Sequence, residues 1–345
     1  MRKRHYIIPI FISHIGCPHQ CVFCNQDKIA KEVEEEVTDR DVRNTIEEYL
    51  NTIDHDKSTI EVSFFGGTFT AIDVNKQKEL LSVAKEYKEK GFIDKIRMST
   101  RPDAINKYIL SYLKDYKVDI IELGVQSLDD EILKLSGRGH SVKDVEIASK
   151  LIKEYGFTLG HQIMPGLPGD NFEKDIETAK KSIEMKPDIC RIYPSLVIKD
   201  TPMEKMYERG EYKPYSLEEA VSISKELYKL YTKANINIIR IGLQPTENIT
   251  WGKDLVDGPF HPSFRELVEG SLICESIKNA IKEDENIIIE INSKDLSKLY
   301  ANKKLYFNEL KESINGNINI KINDKINRGN FNIIVVKRVE KISIG

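Results

Sequence analysis

Cysteine is scarce in this chain, and most of it lies in one place. Of five cysteines in 345 residues, three stand at 17, 21 and 24, while Cys190 and Cys274 are far apart. This usage excludes a disulfide-stapled scaffold and fits a reducing interior. A second closely spaced pair is missing, and with it the paired knuckles of a zinc ribbon. Net charge is small too. Lys and Arg number 52 against 55 Asp and Glu, a formal −3, so only a local basic patch would draw nucleic acid. Long apolar runs are also lacking. Met1-Arg2-Lys3-Arg4 is basic and residues 6–26 carry no Lys, Arg, Asp or Glu, but the apolar part, Tyr6 to Ile12, is short and holds Pro9. Ser13, His14, His19 and Gln20 then break it, so neither a secretion signal nor a membrane span is expected. A cytoplasmic protein with no membrane contact is expected, and the length allows one large or two unequal domains.

The clustered cysteines occur in Gly16-Cys17-Pro18-His19-Gln20-Cys21-Val22-Phe23-Cys24-Asn25, a C-x3-C-x2-C spacing. Three thiolates and no fourth suit a [4Fe–4S] cube with one iron left open for an exchangeable ligand. The motif resembles the signature of the radical S-adenosylmethionine (SAM) superfamily, in which that iron chelates the amino and carboxylate groups of SAM. Phe23 and Asn25 fit the signature as well. A structural zinc site completed by His14 or His19 is the rival reading. The spacing predicts that the sulfurs of Cys17, Cys21 and Cys24 come together near one point at the C-terminal ends of the strands.

From residue 5 to about 245, short apolar runs alternate with longer amphipathic stretches, which reads as β/α units around a parallel sheet. Expected strands are 6–12, 60–66, 95–100, 119–126, 157–164, 189–194 and 237–243. Expected helices are 39–52, 74–90, 103–115, 142–155, 171–185 and 216–234. Thr38-Asp39, Asp73 and Ser141 read as helix starts, Gly91 and Gly156 as helix ends. Within the strands, period-two alternation separates two faces. Ile60, Val62 and Phe64 oppose Glu61 and Ser63; Ile96 and Met98 oppose Arg97, Ser99 and Arg101. Ile121, Leu123 and Val125 oppose Glu122, Gly124 and Gln126; Phe157, Leu159 and Ile163 oppose Gly160, Gln162 and Met164. Cys190 and Ile192 oppose Arg191 and Tyr193; Ile239 and Ile241 oppose Arg240, Gly242 and Gln244. A closed eight-stranded barrel fills its lumen with branched apolar side chains. The repeated polar face predicts instead an α/β fold with an incomplete, wider barrel, a partial (β/α)6-type TIM barrel with a small C-terminal α+β extension. Glu61, Arg97, Glu122, Arg191, Tyr193 and Arg240 are expected to point into its chamber. Val62, Leu123, Cys190 and Ile241 are expected to face helices. The excess of arginine hints at an anionic substrate, and mutual Arg–Glu pairing explains it nearly as well.

Further motifs follow in order: Phe64-Phe65-Gly66-Gly67-Thr68-Phe69, Ser99-Thr100-Arg101-Pro102-Asp103, Glu122-Leu123-Gly124-Val125-Gln126-Ser127, Ser136-Gly137-Arg138-Gly139-His140, Met164-Pro165-Gly166-Leu167-Pro168-Gly169 and the stretch from Arg191 to Thr201. Paired glycines let a ligand approach the backbone without a Cβ in the way. The series, over roughly residues 5–250, resembles the radical-SAM domain of the Elongator catalytic subunit and is similar, more distantly, to anaerobic coproporphyrinogen oxidases. The resemblance implies two cofactors, a [4Fe–4S] cluster on Cys17, Cys21 and Cys24 and SAM. It implies SAM contacts at Gly66, Gly67, Thr68, Gln126, Ser127, Arg138, Gln162 and Met164. Arg138 would pair with the SAM carboxylate through its planar fork. Ser99 departs from the pattern, since relatives often carry a glutamate there. His140 would cap the next helix or take part in chemistry.

The implied domains are a radical-SAM partial barrel over 1–250 and a C-terminal helix with a small α+β domain over 251–345. The latter is expected to hold a strand at 286–292, a helix at 294–311 and strands at 317–322 and 331–339. It resembles the C-terminal domain of bacterial radical-SAM proteins and leaves no room for the acetyltransferase of the Elongator subunit. Cys190 and Cys274 are expected to be core. The implied activity is reductive cleavage of SAM to a 5′-deoxyadenosyl radical, which abstracts hydrogen from a substrate. A reductant such as flavodoxin or ferredoxin would supply the electron, Tyr193 is the candidate catalytic residue, and the resemblance suggests a tRNA base as substrate. Two alternatives stay open at this point. One is a chaperone that binds cluster and SAM without radical turnover; the other is a zinc-stabilised interaction protein.

Overall fold

The computed structural model describes residues 4–12, 17, 19–25, 36–243, 245, 249–281 and 286–336. The basic start of the chain before Arg4, Ser13, His14, Gly16, Pro18, Gln244 and positions 337–339 of the last expected strand lie outside the described residues. The chain forms two compact units, Met1–Phe260 and His261–Gly345.

The first unit is built on seven parallel strands. They are β1 (Arg4–Ile12), β2 (Ser58–Gly66), β3 (Lys95–Thr100), β4 (Ile120–Gln126), β5 (Thr158–Ile163), β6 (Ile189–Ile192) and β8 (Asn237–Ile241), ordered β1-β2-β3-β4-β5-β6-β8. A two-residue strand β7 (Val197–Ile198) pairs outside this sheet with β9 (Leu255–Asp257). The expected helices are present at Asp39–Leu50, Val74–Glu89, Lys107–Asp115, Val142–Glu154, Phe172–Glu184 and Leu217–Lys233. Their starts are specified locally: Thr38, Ser141 and Ser216 each form a reciprocal capping box with an acid three residues on, and Asp73, Asn106 and Asn171 cap the rest. Gly91 and Gly156 end helices with φ of +79° and +76°, as expected. Short helices at Asp130–Leu135 and Pro202–Glu208 were not legible in the periodicity.

Period-two alternation holds through most of the sheet, but a register shift in β8 puts Ile238, where Ile239 was expected, level with helix-facing Cys190, and a second shift falls between Gly124 and Gln126. On the helix-facing side Ile10, Phe64, Met98, Ile121 and Leu159 lie in register across five strands, and Leu123, His161, Cys190 and Ile238 across four. All are buried, Val62 and Ile241 included. The opposite face carries a ladder of charge. Arg97 reaches Glu61 (Nη2–Oε2 3.0 Å) and Glu122 (Nη1–Oε1 3.0 Å), and Glu122 Oε1 also accepts from Arg191 Nε at 2.9 Å. Arg191 donates on to the Tyr193 hydroxyl at 2.9 Å, and Ser63 donates to Glu61 at 2.7 Å.

Glu122 and Arg191 sit on β4 and β6, with β5 between them. They meet because β5 presents Gly160 there: a Cβ at Gly160 would lie 2.7 Å from Glu122 Cγ. The sheet also curls. Arg191 Cζ lies 5.7 Å from the centre of the Phe65 ring on β2, four strand positions away. A flat sheet would hold those strands about 19 Å apart at roughly 4.8 Å per strand. The sheet is thus a curved half-barrel open between its edge strands β1 and β8, with a polar inner face.

The second unit packs a helix (Phe264–Ala280) and the segment Leu296–Leu299 and Ala301–Glu312 on a three-stranded sheet. Its strands are β10 (Asn286–Ile291), β11 (Ile318–Ile322) and β12 (Phe331–Val336), ordered β11-β10-β12. Cys274, Ile277, Ile287, Ile289, Ile291 and Phe307 form its core. The single helix expected over 294–311 is interrupted: Asn302, Lys303 and Lys304 all take left-handed φ values, of 50°, 53° and 68°. No residue type there announces the break.

Glu122→Gln leaves two buried guanidinium groups short of a carboxylate. It is expected to lower the stability of the chain by about 3 kcal/mol, read by urea unfolding. Gly160→Ala is expected to cost about 1–3 kcal/mol through overpacking against Glu122. Losses under about 0.5 kcal/mol in both variants would mean that the ladder contributes nothing net.

Candidate functional site

The strands' C-terminal ends bring the sequence motifs together. Val22 of the cysteine loop donates its N–H to Ser136 O (3.0 Å) and accepts from Met203 N (2.9 Å), and Cys24 N bonds Cys21 O at 3.1 Å. Asn25 Nδ2 donates to Lys199 O at 2.9 Å. Val22 and Phe23 pack on Val197, Met203 and Tyr212. The turn beneath the loop uses glycine for close approach. Gly137 and Gly139 have φ of +62° and +69°, and a Cβ on either would lie 2.7 Å from Gln20 O or 2.4 Å from the His19 ring.

Arg138 occupies the centre. It is 95% buried, at 5% relative exposure. Its Nη1 donates to Cys21 Sγ at 3.3 Å and its Nη2 to Gly124 O at 2.6 Å. Arg101 donates to the Arg138 carbonyl and is itself clamped by Asp103 through two bonds of 2.9 and 3.0 Å. Arg138 Nε and Arg101 Nη1 are buried and have no hydrogen-bond partner among the described residues. Burial holds the Arg138 guanidinium below its ordinary range, with neighbouring Arg101 adding to this and Cys21 opposing it. His140 is pushed down to about 3 by burial, then by Arg138 and Arg101, so its ring is neutral. It does not cap the next helix, where Ser141 has that role.

The cysteines share this region. Thr68 Oγ1 lies 3.7 Å from Cys17 Sγ, Cys21 is buried, and the Cys24 thiol is pushed up to about 12 by burial, then by Cys21 and Cys17. The three sulfurs therefore feel one another. Among the described residues no group of three His, Cys, Asp or Glu is placed to hold a single metal ion. A cube offers its ligands three separate irons.

The remaining site residues fall around this centre. Gly66, at φ +103°, ends β2 where a Cβ would lie 2.3 Å from Ile12 O, and Gly67 N bonds the same carbonyl at 3.0 Å. Gln126 ends β4 beside a register shift, at φ +66°, a left-handed conformation unusual for a residue with a Cβ. Its side-chain oxygen lies 3.5 Å from Gln162 Nε2, and its carbonyl accepts from Met164 N at 2.8 Å. Gly124, next to both, leaves space that a Cβ would fill to within 3.2 Å of Arg138 Nη2 and Gln126 Nε2. Ser127 turns toward the helix side, with Oγ 3.3 Å from Thr178 Oγ1. Ser99 reaches Glu122 Oε2 at 3.4 Å. Tyr193 is half-buried on the inner face.

Sequence reasoning missed several groups. The Arg101–Asp103 clamp lies in a motif that was quoted but given no task. His161 is buried between Ser149 and Ser182, each at 2.9 Å, and is pushed down to about 3 by burial. Tyr215 donates to buried Asp175 at 2.8 Å behind the 164–169 loop, and burial beside Asp170 raises the Asp175 carboxyl. The only signals for these were polar residues on faces that otherwise read as core.

Residues 11–181 match the family described as the Radical SAM superfamily, and residues 187–273 match the Radical_SAM C-terminal domain. The tRNA uridine(34) acetyltransferase of Methanocaldococcus infernus is 31% identical over 255 residues, covering 63% of this chain and 48% of that protein. An uncharacterized protein of Methanocaldococcus jannaschii is 30% identical over 231 residues, 64% of this chain and 70% of its own length. The solved structure of archaeal Methanocaldococcus infernus Elp3 with an N-terminal deletion superposes with a TM-score of 0.64 at 26% identity, over 80% of this chain and 64% of that one. The chain spans about half the length of the tRNA uridine(34) acetyltransferases it matches.

Gly137→Ala is expected to lift the cysteine loop off its turn. Alkylation of Cys21 in the cluster-free chain, followed by mass spectrometry, should then be several-fold faster than in the wild type. An unchanged rate would mean that the turn does not hold the loop.

Proposed function

The chain belongs to the Radical SAM superfamily, and on that premise we propose that it is an enzyme that cleaves SAM reductively and modifies a base in transfer RNA. The family binds a [4Fe–4S] cluster and SAM, and these supply a 5′-deoxyadenosyl radical when both are present and an electron is delivered. Cys17, Cys21 and Cys24 would hold the cluster. Gly66, Gly67, Thr68, Gln126, Arg138, Gln162 and Met164 would surround SAM, with Ser127 holding the Gln126 turn from behind. The observation that carries this assignment is Arg138: a buried guanidinium between a cysteine sulfur and a glycine carbonyl, with one N–H unpartnered. A carboxylate would satisfy that N–H and offset the burial of the charge. The unpartnered Arg101 Nη1 supports the same reading.

The protein's own part is orientation. Asp103 fixes Arg101, Arg101 fixes the Arg138 backbone, and Arg138 presents its donor edge with little freedom left to lose. Thr68 steadies the Cys17 sulfur. Tyr193, held by Arg191 on the inner face, would meet the substrate there. Superfamily enzymes require a reductant, and flavodoxin or ferredoxin in the cytoplasm would serve here. No helix among the described residues is long and apolar enough to cross a membrane. The names of the relatives support transfer RNA as substrate, and the shared length leaves the modification itself open to a group other than acetyl. Neither a zinc-stabilised interaction protein nor a cluster chaperone without turnover is favoured.

Anaerobic incubation of the reconstituted protein with SAM, dithionite and total transfer RNA should release 5′-deoxyadenosine and leave a nucleoside of altered mass. Absence of 5′-deoxyadenosine would defeat the radical reading, and its formation with unaltered RNA would defeat the substrate. Arg138→Ala should weaken SAM binding, measured by equilibrium dialysis, roughly 10- to 100-fold with iron content retained. Tyr193→Phe should slow RNA modification more than uncoupled SAM cleavage. Equal loss of both would make the tyrosine structural.

A further inference from the structure

The inner-face charges do not balance. Glu61 accepts from Arg97 and Ser63 and lies 3.3 Å from His5 Nε2. Glu122 accepts from Arg97, Arg191 and Ser99. Arg101, at the rim, has Asp103. Those pairings remove the general hint of an anionic substrate that the arginine excess had given. Apart from Arg138, Arg240 remains unpaired on the inner face among the described residues. Arg240 on β8 is half-buried and has no ion-pair or hydrogen-bond partner among the described residues. It stands in register with Arg191, which stands in register with Gln162 and, through it, with Gly124. Neighbours in register project from the same face. Arg240 therefore belongs to the inner row that holds Gln162, at the level of the candidate SAM contacts, and Arg191 beside it is already committed to Glu122 and Tyr193. A half-buried guanidinium with no counter-charge is unfavourable unless a ligand supplies one.

Its place in the sheet says where that ligand comes from. β8 is one edge of the half-barrel and β1 the other. Beyond His5, the same face of β1 is apolar and exposed: Phe11, in register with Phe65, is 58% exposed, and Ile7, in register with Glu61, is 37% exposed. One lip of the opening thus offers a cation and the other an aromatic ring. That pairing suits a nucleotide, whose phosphate needs the first and whose base stacks on the second.

We propose that Arg240 binds a phosphate of the RNA substrate at the β8 edge of the chamber, with the adjacent base admitted between β8 and the Phe11 side of β1. The inference rests on the transfer-RNA reading above. Binding of total transfer RNA to the full chain, followed by fluorescence anisotropy across a salt series, tests it. Loss of one phosphate contact lowers the slope of log K against log salt by about 0.7–0.9 and weakens binding about three- to tenfold near 0.1 M salt. Arg240→Gln is expected to show both effects, and Arg240→Lys, which keeps the charge, to restore the slope. Iron content and SAM affinity should match the wild type in both variants. If the wild type binds transfer RNA and Arg240→Gln binds it with the same affinity and slope, Arg240 holds no phosphate while the RNA reading stands. If the wild type binds no transfer RNA at any salt concentration, the RNA reading and this assignment fall together. Loss of SAM affinity in Arg240→Gln would give the arginine to the cofactor and overturn its assignment to substrate.

Discussion

One carboxylate organises the interior of the barrel. Glu122 is shared by Arg97 from the neighbouring strand and by Arg191 from two strands away, and it reaches the second only across the bare backbone of Gly160. A complete barrel fills its lumen with interdigitating apolar layers. Here an ion-pair ladder takes that place along part of the wall and ties the curved strands together. The ladder joins β2, β3, β4 and β6, so the strands that carry the cofactor motifs are tied to one another below the rim. Loss of a partner is costly because the charges that remain are buried.

The rim depends on a second chain of contacts. Asp103 holds Arg101, Arg101 holds the carbonyl of Arg138, and Arg138 spans from Gly124 to the Cys21 sulfur. Burial, then the neighbouring Cys21 and Cys17, push the Cys24 thiol up, and the Arg138 cation offsets this only in part. The proposed carboxylate contact and the proposed cluster ligands therefore meet at one guanidinium, so SAM binding and cluster environment are expected to be coupled there.

Much of this was legible in the sequence because the signals are local. Caps such as Thr38 and Ser141 mark helix starts by hydrogen bonds made within three residues, and strand faces follow from alternation alone. The split of Glu61, Arg97, Glu122 and Arg191 from Val62, Leu123 and Cys190 needed no long-range knowledge. What stayed hidden depends on partners distant in sequence. The role of Gly160 appears only when β4 and β6 flank it, and the choice between an anion site and mutual pairing for the inner-face arginines turns on Glu122 serving two of them. Gln126 gives no local sign of its left-handed backbone. The break at Asn302–Lys304 has no proline or glycine to announce it.

The hydrogen bonds of Val22 to Ser136 and Met203 carry a consequence for the order of assembly. The cysteines lie within the first 24 residues, yet the backbone between the last two is fixed by groups more than 110 and 180 positions downstream. During synthesis the thiols leave the ribosome before the segments that seat their loop, and six of the seven sheet strands precede Met203. Contacts of such sequence separation form late and slowly. Until then the thiols are exposed to oxidants and stray metal ions. Insertion of the proposed cluster would thus wait on the fold: a chain arrested before about residue 205 would hold all three proposed ligands and still lack the contacts that seat their loop.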